Sequence, residues 1–268
     1  LSALFAVACG TSAMAQEEAF DLTSQRGEKQ DVNVVPGKKL DHQGIVVNPT
    51  PHNLDINRQN WISFENGLNI QDKQKRFADD LAFLKQYKKG FRLTIDFGEK
   101  QAKKAGLKKM VSGAYLLTVN GKGINIVGYD ERGAFYAIQT MKQILASPAA
   151  EGKMHLPYLT CNDYPDLPLR GVVEGLYGTP WSHQVRLSLI DYYGRNKLNE
   201  YVYGPKDDPY HSSPNWRKPY PADQARNIHE LVEACRRNRV DFVWAIHPGK
   251  DIKWNEEDYQ NLVNKFND

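Results

Sequence analysis

The sequence predicts a mixed α/β fold in two parts. A small α/β domain, with its helices on one face of a sheet, precedes the first three βα units of a (β/α)8 TIM barrel, truncated at Asp268. Up to about residue 165, strand and helix patterns follow one another without regular order. After a proline-punctuated link at residues 162–168, apolar strands alternate with amphipathic helices, which is typical of parallel strands covered by helices. Only three such units precede Asp268, whereas a complete barrel has eight.

Residues 34–165 form the first predicted domain. Two β-rich runs around an Asn120-Gly121 turn predict a hairpin over residues 115–127. Apolar residues at three- and four-residue spacing predict a helix that opens at Asp130. The remaining patterns predict two strands and one further amphipathic helix, at residues 45–47, 91–95 and 76–89.

Residues 166–268 make up the second predicted part, the N-terminal part of the barrel. Each apolar run ends in a loop rich in glycine or proline, and each following segment carries apolar residues at helical spacing. Cys235 falls on the apolar face of the second helix, so we expect a buried free thiol there and no disulfide. The predicted strands and helices alternate at residues 169–174, 183–193, 198–203, 222–237, 240–246 and from 255 onward.

The first residues have the pattern of a partial secretory signal peptide. Residues 1–15 carry a short apolar run followed by a small-residue cleavage site of the A-x-A type that ends at Ala15. The run is too short to span a bilayer. We therefore expect a secreted or periplasmic protein with a disordered polar leader at residues 16–33. A lipoprotein anchored at Cys9 is the alternative.

Composition and residue spacing exclude several classes of function. The formal net charge is +3 over 268 residues, and the lysines are scattered among acids, so no nucleic-acid footprint is expected. His247 follows the third predicted strand, where an imidazole acts as an acid or base, orients a neighbour or simply packs. No second histidine lies at metal-ligand spacing, so we expect neither a metal nor a cofactor. The 14 tyrosines and 5 tryptophans fit carbohydrate stacking or ordinary core and rim positions.

In a (β/α)8 barrel, chemistry lies where the strands end. The first strand is followed by Gly175 and Tyr177, and a glycine there either lets a ligand approach the backbone or simply makes a turn. The second strand leads to Lys206, whose ammonium suits sugar oxygens or a nearby carboxylate. The adjacent Asp207 and Asp208 fit either an acid with its partner or an ordinary loop cap.

Three long motifs, in order, give this region a specific resemblance. VVEGLYGTPWSH (residues 172–183), YVYGPKDDPYHSSPNWR (201–217) and DFVWAIHPGKDIKW (241–254) resemble the first three barrel units of family 84 glycoside hydrolases. These are the β-N-acetylglucosaminidases that include bacterial and animal O-GlcNAcases. Residues 34–165, whose last helix opens with GYDERG, are similar to the α/β domain that precedes the barrel in bacterial members.

The resemblance implies retaining, substrate-assisted hydrolysis of terminal β-linked N-acetylglucosamine through an oxazoline, an exception to the scheme with a carboxylate nucleophile. Gly175 and Lys206 match positions that bond the sugar hydroxyls, and Tyr177 matches a residue lining the same pocket. Residues 207–208 do not match the catalytic Asp-Asp pair, which the resemblance places beyond Asp268. The 268-residue polypeptide is therefore expected to be inactive. Its expected partners are N-acetylglucosamine-containing glycans or glycoproteins, and no oligomeric state is implied.

Two other functions fit parts of the sequence. A family 20 hexosaminidase has a related preceding domain and a similar mechanism, but the loops GLYGTPW and GPKDDPYH favour family 84. A secreted, non-catalytic carbohydrate-binding protein built on a degenerate hydrolase would require a natural end near Asp268. Reading the gene past this residue would separate the two classes, since the enzyme needs an Asp-Asp pair after a fourth strand.

Overall fold

The computed structural model describes residues 44–175, 180–206 and 208–267. The α/β domain is built on a six-stranded mixed sheet. Its elements are β1 (Asn53–Ser63), β2 (Asn69–Asp72), β3 (Arg92–Phe97), α1 (Glu99–Ala105), β4 (Tyr115–Asn120), β5 (Gly123–Gly128), α2 (Glu131–Ala146) and β6 (His155–Asp163). The strand order is β1-β6-β4-β5-β3-β2, with β2, β3 and β5 parallel to one another and the other neighbours antiparallel.

The predicted hairpin and the helix after it are confirmed. Asn120 pairs with Gly123 across the turn between β4 and β5. Asp130 caps α2, since its carboxylate accepts a hydrogen bond from the Gly133 amide at 2.8 Å. Ile138 and Met141 of α2 are fully buried in the core of this domain.

The segment 76–89 is not a helix, and this prediction is wrong. The segment forms successive turns, yet Phe77, Leu81 and Leu84 are buried as their spacing suggested. A helix cannot continue here because the backbone is bonded elsewhere. The Leu68 amide donates to the Lys85 carbonyl at 2.9 Å, and the Tyr87 amide donates to the Leu68 carbonyl at 2.8 Å.

The predicted strand at residues 45–47 is also absent. The amide and carbonyl of Val46 both bond the hydroxyl of Ser147, at 2.9 and 3.2 Å, so a side chain at the end of α2 replaces a neighbouring strand. The flanking Ile45 and Val47 are buried, which accounts for the apolar pattern.

The two helices of this domain lie on opposite faces of the sheet, which corrects the expected arrangement on one face. Tyr115 of β4 bonds Thr140 of α2 at 2.7 Å, so α2 covers the face that carries Tyr115. Asn162 of β6 pairs with Leu116, on the other face, and its side chain donates to the Gly106 carbonyl at the end of α1. The lysine-rich α1 is short and gave no apolar periodicity for prediction.

The second part confirms the predicted alternation of strands and helices. Three parallel strands, β7 (Gly171–Glu174), β8 (Glu200–Tyr203) and β9 (Asp241–Trp244), pair in that order to form one sheet. The helices bury one side of this sheet, where Tyr201, Tyr203 and Cys235 lie in one apolar cluster, and Cys235 is a free thiol as expected. The helices are α3 (His183–Arg195), α4 (Ala222–Arg237) and α5 (Glu256–Asn267).

Charged side chains, among them the buried Lys197, connect the two parts. Lys197, between α3 and β8, donates from Nζ to the Tyr115 hydroxyl at 3.1 Å and lies 3.6 Å from the Asp163 carboxylate. Burial lowers the pKa of Lys197, although Asp163 opposes that shift. Arg132 of α2 donates to both carboxylate oxygens of Asp241 at 2.9 Å. The barrel-like part is therefore anchored to the α/β domain through specific ion pairs.

Within the described ranges, no helix combines the length and apolar character needed to cross a bilayer.

Candidate functional site

The three parallel strands end in residues with little or no side chain. Gly175, Gly204 and Ala245 follow β7, β8 and β9 in register, because the Gly204 amide donates to the Glu174 carbonyl at 3.0 Å and the Ala245 amide to the Tyr203 carbonyl at 2.8 Å. We call these three residues the strand-end ledge.

The ledge faces away from the helices. Glu174 pairs with Arg186 of α3, Tyr203 lies 5.2 Å from the same guanidinium, and Trp244 contacts Phe266 of α5. Because successive side chains in a strand alternate in direction, the ledge residue that follows each strand points to the opposite side. A Cβ atom on Gly204 would lie 3.1 Å from the Cβ of Ala245, so the ledge has little room for larger side chains. Because Gly175 has no side chain, a ligand can approach its backbone directly.

Of the predicted sugar-binding residues, Gly175 and Lys206 lie in the described ranges and Tyr177 lies outside them. Gly175 is part of the ledge, and among the described residues a Cβ atom there would meet only a methyl group of Val173, at 3.7 Å. Lys206 is exposed in the turn two residues after Gly204. The structure thus places both residues at the ends of adjacent strands, where the sequence predicted them.

Asp208 organises the loop that carries Lys206. Its side chain is buried and accepts three hydrogen bonds, from the hydroxyls of Tyr203 and Tyr220 at 2.9 and 2.7 Å and from the Tyr210 amide at 2.7 Å. Burial, followed by the negative charge of Asp208, raises the pKa values of both tyrosines. These contacts favour the loop-cap alternative over an acid for Asp208, whereas Asp207 lies outside the described residues.

The loops after β8 and β9 are joined through their backbones. The His247 amide donates to the His211 carbonyl at 2.7 Å, and the Ser213 amide donates to the His247 carbonyl at 3.3 Å. His247 itself is exposed, whereas His211 is buried and contacts the Pro205 carbonyl through Nε2 at 2.7 Å. These backbone hydrogen bonds fix the loops after β8 and β9 against each other.

Sequence reasoning missed Glu174 as an organising residue. This carboxylate, 2% exposed at the end of β7, forms a bidentate ion pair with Arg186 at 2.7–3.1 Å and accepts a hydrogen bond from Tyr201. Burial opposes the charge on Arg186, but the hydrogen bonds and charge of Glu174 raise its pKa. The sequence did contain a signal for this role: an acidic residue ends an apolar strand, and an arginine lies in the next helix.

No cluster of three or more histidine, cysteine or acidic side chains suited to a metal ion occurs in the part of the chain that the structure describes. Among the described residues, the ledge offers backbone groups, and the nearby Lys206 offers an ammonium.

Comparison with known proteins gives the same division into two parts. Residues 45–164 match the family model described as glycosyl hydrolase family 20, domain 2, and residues 170–268 match the model described as beta-N-acetylglucosaminidase. The solved structure of CpGH84B is 33% identical and superposes with a TM-score of 0.71 over 83% of this chain and 41% of that chain. This chain is similar to family 84 glycoside hydrolases.

Further relatives show the same similarity. CpGH84D is 27% identical, with a TM-score of 0.70 over 83% of this chain and 42% of that chain. Protein O-GlcNAcase of Rattus norvegicus is 38% identical over 99 residues, which are 37% of this chain and 11% of the relative. N,N'-diacetylchitobiase of Vibrio harveyi is 34% identical over 89 residues, 33% of this chain and 10% of the relative. The matched region thus spans about a tenth of these two curated relatives.

Proposed function

We propose that this chain is part of a secreted β-N-acetylglucosaminidase that removes terminal β-linked N-acetylglucosamine from glycans or glycoproteins. The observation that carries the proposal is the 33% identity with CpGH84B over 83% of the chain, with both family models in order. The strand-end ledge supports it, since the half-buried backbone at Gly175 and the exposed ammonium of Lys206 suit a sugar rich in hydroxyls.

The proposed mechanism is substrate-assisted and retaining. The acetamido oxygen of the sugar attacks its own anomeric carbon, the glycosidic oxygen takes a proton from a carboxylic acid, and the resulting oxazoline is opened by water. In this scheme Gly175, Tyr177 and Lys206 bind the sugar. The residues that polarise the acetamido group and move the proton are a pair of aspartates that we place after Asp268.

The 268-residue polypeptide is expected to have no turnover by itself. Glu174 and Asp208, the carboxylates nearest the ends of β7 and β8 among the described residues, are already bonded to Arg186 and to two tyrosines. The test is an assay of residues 16–268 with a chromogenic β-N-acetylglucosaminide. Turnover that Lys206→Ala abolishes would overturn this expectation.

The binding role of Lys206 is tested in the full-length gene product. Loss of a charge-assisted hydrogen bond costs about 1.5–3 kcal/mol, so Lys206→Ala should lower kcat/KM by about 10- to 100-fold. Lys103→Ala, which removes an exposed lysine from α1, is the matched control and should leave kcat/KM unchanged. Equal values for the two variants would remove Lys206 from the site.

A family 20 type of substrate is the second candidate. It is favoured by the family 20 model over residues 45–164 and by the similarity to a diacetylchitobiase. Full-length enzyme assayed in parallel on diacetylchitobiose and on a peptide bearing O-linked N-acetylglucosamine separates the two. Family 84 behaviour predicts the higher kcat/KM on the glycopeptide.

Secretion is proposed from the pattern of residues 1–15. Mass spectrometry of the protein recovered from its native host should give a mature chain that begins at Gln16. An acylated chain that begins at Cys9 would instead establish the lipoprotein alternative.

A further inference from the structure

A groove of about 640 Å³ lies in the α/β domain and shares no residue with the strand-end ledge. This volume is in the range of small-ligand sites. We call it the basic groove. It is lined by residues 63–67, 69, 87, 89–92 and 122.

The floor of the basic groove is formed by tightly apposed backbone. A Cβ atom on Gly67 would lie 2.4 Å from the Lys85 carbonyl oxygen, and one on Gly90 would lie 2.6 Å from the Gly67 carbonyl oxygen. The Asn69 side chain also donates to the Lys88 carbonyl at 3.1 Å. The two chain segments are therefore fixed against each other, and the groove is preformed.

Two aromatic rings border the groove and remain accessible. Tyr87 is 42% exposed and Phe91 is 37% exposed. Aromatic rings give large and rigid apolar area at little cost in conformational entropy, and the tyrosine hydroxyl adds a polar contact. A ligand with a flat apolar face and polar edges, such as a pyranose ring, fits this combination.

The lining of the groove carries more positive than negative charge. Lys89, Arg92 and Lys122 line it, and none of them forms an ion pair with any residue in the described ranges. The one carboxylate that lines the groove, Glu65, accepts a hydrogen bond from the Met154 amide at 2.9 Å. Unpaired cations beside accessible rings favour an anionic ligand.

We propose that the basic groove binds an anionic glycan segment, one whose sugar rings carry carboxylate or sulfate groups. The choice of a glycan rests on the proposed function, since a hydrolase that acts on glycans gains from a second site that holds it to glycan-rich material. A nucleic acid is disfavoured because the whole chain carries only +3 and pI 8.6, below the strongly basic character of nucleic-acid-binding domains. An anionic membrane is disfavoured because the rings border a concave groove.

The test is calorimetric titration of the full chain with a chondroitin sulfate hexasaccharide at low and high salt. We expect binding that weakens with salt, since exposed charges are screened. The double variant Lys89→Gln/Lys122→Gln should weaken binding at least tenfold, and Tyr87→Ala should also weaken it. The double variant Lys100→Gln/Lys104→Gln, which makes the same charge change on exposed lysines of α1, should bind like the wild type.

Three outcomes would overturn the proposal. These are equal affinity of both double variants, equal affinity for a neutral chitin hexasaccharide, and tighter binding of single-stranded DNA or anionic vesicles than of the sulfated glycan. Hydrolysis is measured separately, on a small chromogenic substrate that cannot span both sites. Groove variants should retain that turnover in the full-length enzyme, so failure of the groove and failure of the proposed function give different results.

Discussion

At the scale of single residues, the buried ion pair between Glu174 and Arg186 makes the fold sensitive to the loss of either partner. The side chains are 2% and 14% exposed, and Glu174→Ala would leave the guanidinium without its partner. Breaking a buried pair in this way costs about 3–5 kcal/mol. We expect that loss in the free energy of unfolding measured by urea denaturation.

The control for this prediction is Glu233→Ala in α4. Glu233 pairs with Arg236 at 2.8 Å on the surface, and an exposed pair of this kind contributes little to stability. If Glu174→Ala and Glu233→Ala destabilise the protein equally, the pair in β7 and α3 is not the anchor we infer.

Asp208 gives a second prediction at this scale. Asp208→Asn replaces one acceptor oxygen by a donor group. Either the two tyrosine hydroxyls, which share Oδ2, or the Tyr210 amide, which bonds Oδ1, then lose their acceptor. We expect a loss of about 1–3 kcal/mol in stability. Urea denaturation of the variant and of the wild type measures this loss. Equal stability of the two proteins would argue against this account of the loop.

At the scale of elements, Gly133 shows why helix propensity alone misleads. Alanine is the better helix former by about 1 kcal/mol, so Gly133→Ala in α2 should stabilise the protein if only propensity counted. A Cβ atom there would lie 2.1 Å from the Ala114 carbonyl oxygen. We therefore expect Gly133→Ala to lower the Tm, as measured by circular dichroism.

The comparison for Gly133 is Ser188→Ala at an exposed position of α3, where no such contact exists and propensity should prevail. A Tm that rises in both variants would mean that α2 can move away from β4 at little cost.

The elements that could be predicted from the sequence are those with a local signal. The Asn-Gly hairpin, α2 and the alternating strands of the second part each carry periodicity or turn chemistry of their own. The segment 76–89 has helical spacing, but its backbone pairs with Leu68, a contact that no local pattern reveals. β1 and β6 were missed because their polar residues, such as those of NLDINRQN, hide the alternation.

In the candidate site, too, only the residues that carry a local signal could be predicted from the sequence. Gly175 and Lys206 could be placed from sequence because strand ends in an alternating α/β fold fall at one edge. The roles of Glu174 and Asp208 could not, because each depends on partners brought together by packing, namely Arg186 in the next helix and Tyr220 twelve residues beyond Asp208.

At the scale of the whole molecule, buried thiols and phenols predict loss of stability at high pH. Burial raises the pKa of Cys161 and of Cys235 from 9.0 to about 12. A group whose pKa is higher in the folded state stabilises the fold fully below its unfolded pKa and loses that effect as pH rises through the folded pKa. Stability should therefore fall between about pH 9 and 12, by about 1.4 kcal/mol per pH unit for each such group.

The measurement is the free energy of unfolding between pH 8 and 10.5. The double variant Cys161→Ala/Cys235→Ala should give a shallower decline than the wild type, whatever its stability at pH 8. Lys197 has the opposite effect on the pH dependence of stability, because its pKa is lowered in the folded state. Lys197→Met should therefore make the free energy of unfolding decline more steeply with pH. Parallel curves for all three proteins would contradict this assignment.

The buried Lys197 also bears on how such a protein can evolve. One family model ends at residue 164 and the next begins at residue 170, so the link between them is an obvious point for exchange of gene segments. A barrel segment acquired by such an exchange would place the Lys197 ammonium against the α/β domain of another protein. That partner would have to offer a hydroxyl and a carboxylate where Tyr115 and Asp163 stand here. The two modules are therefore expected to be inherited as a pair, with these three residues changing together across lineages.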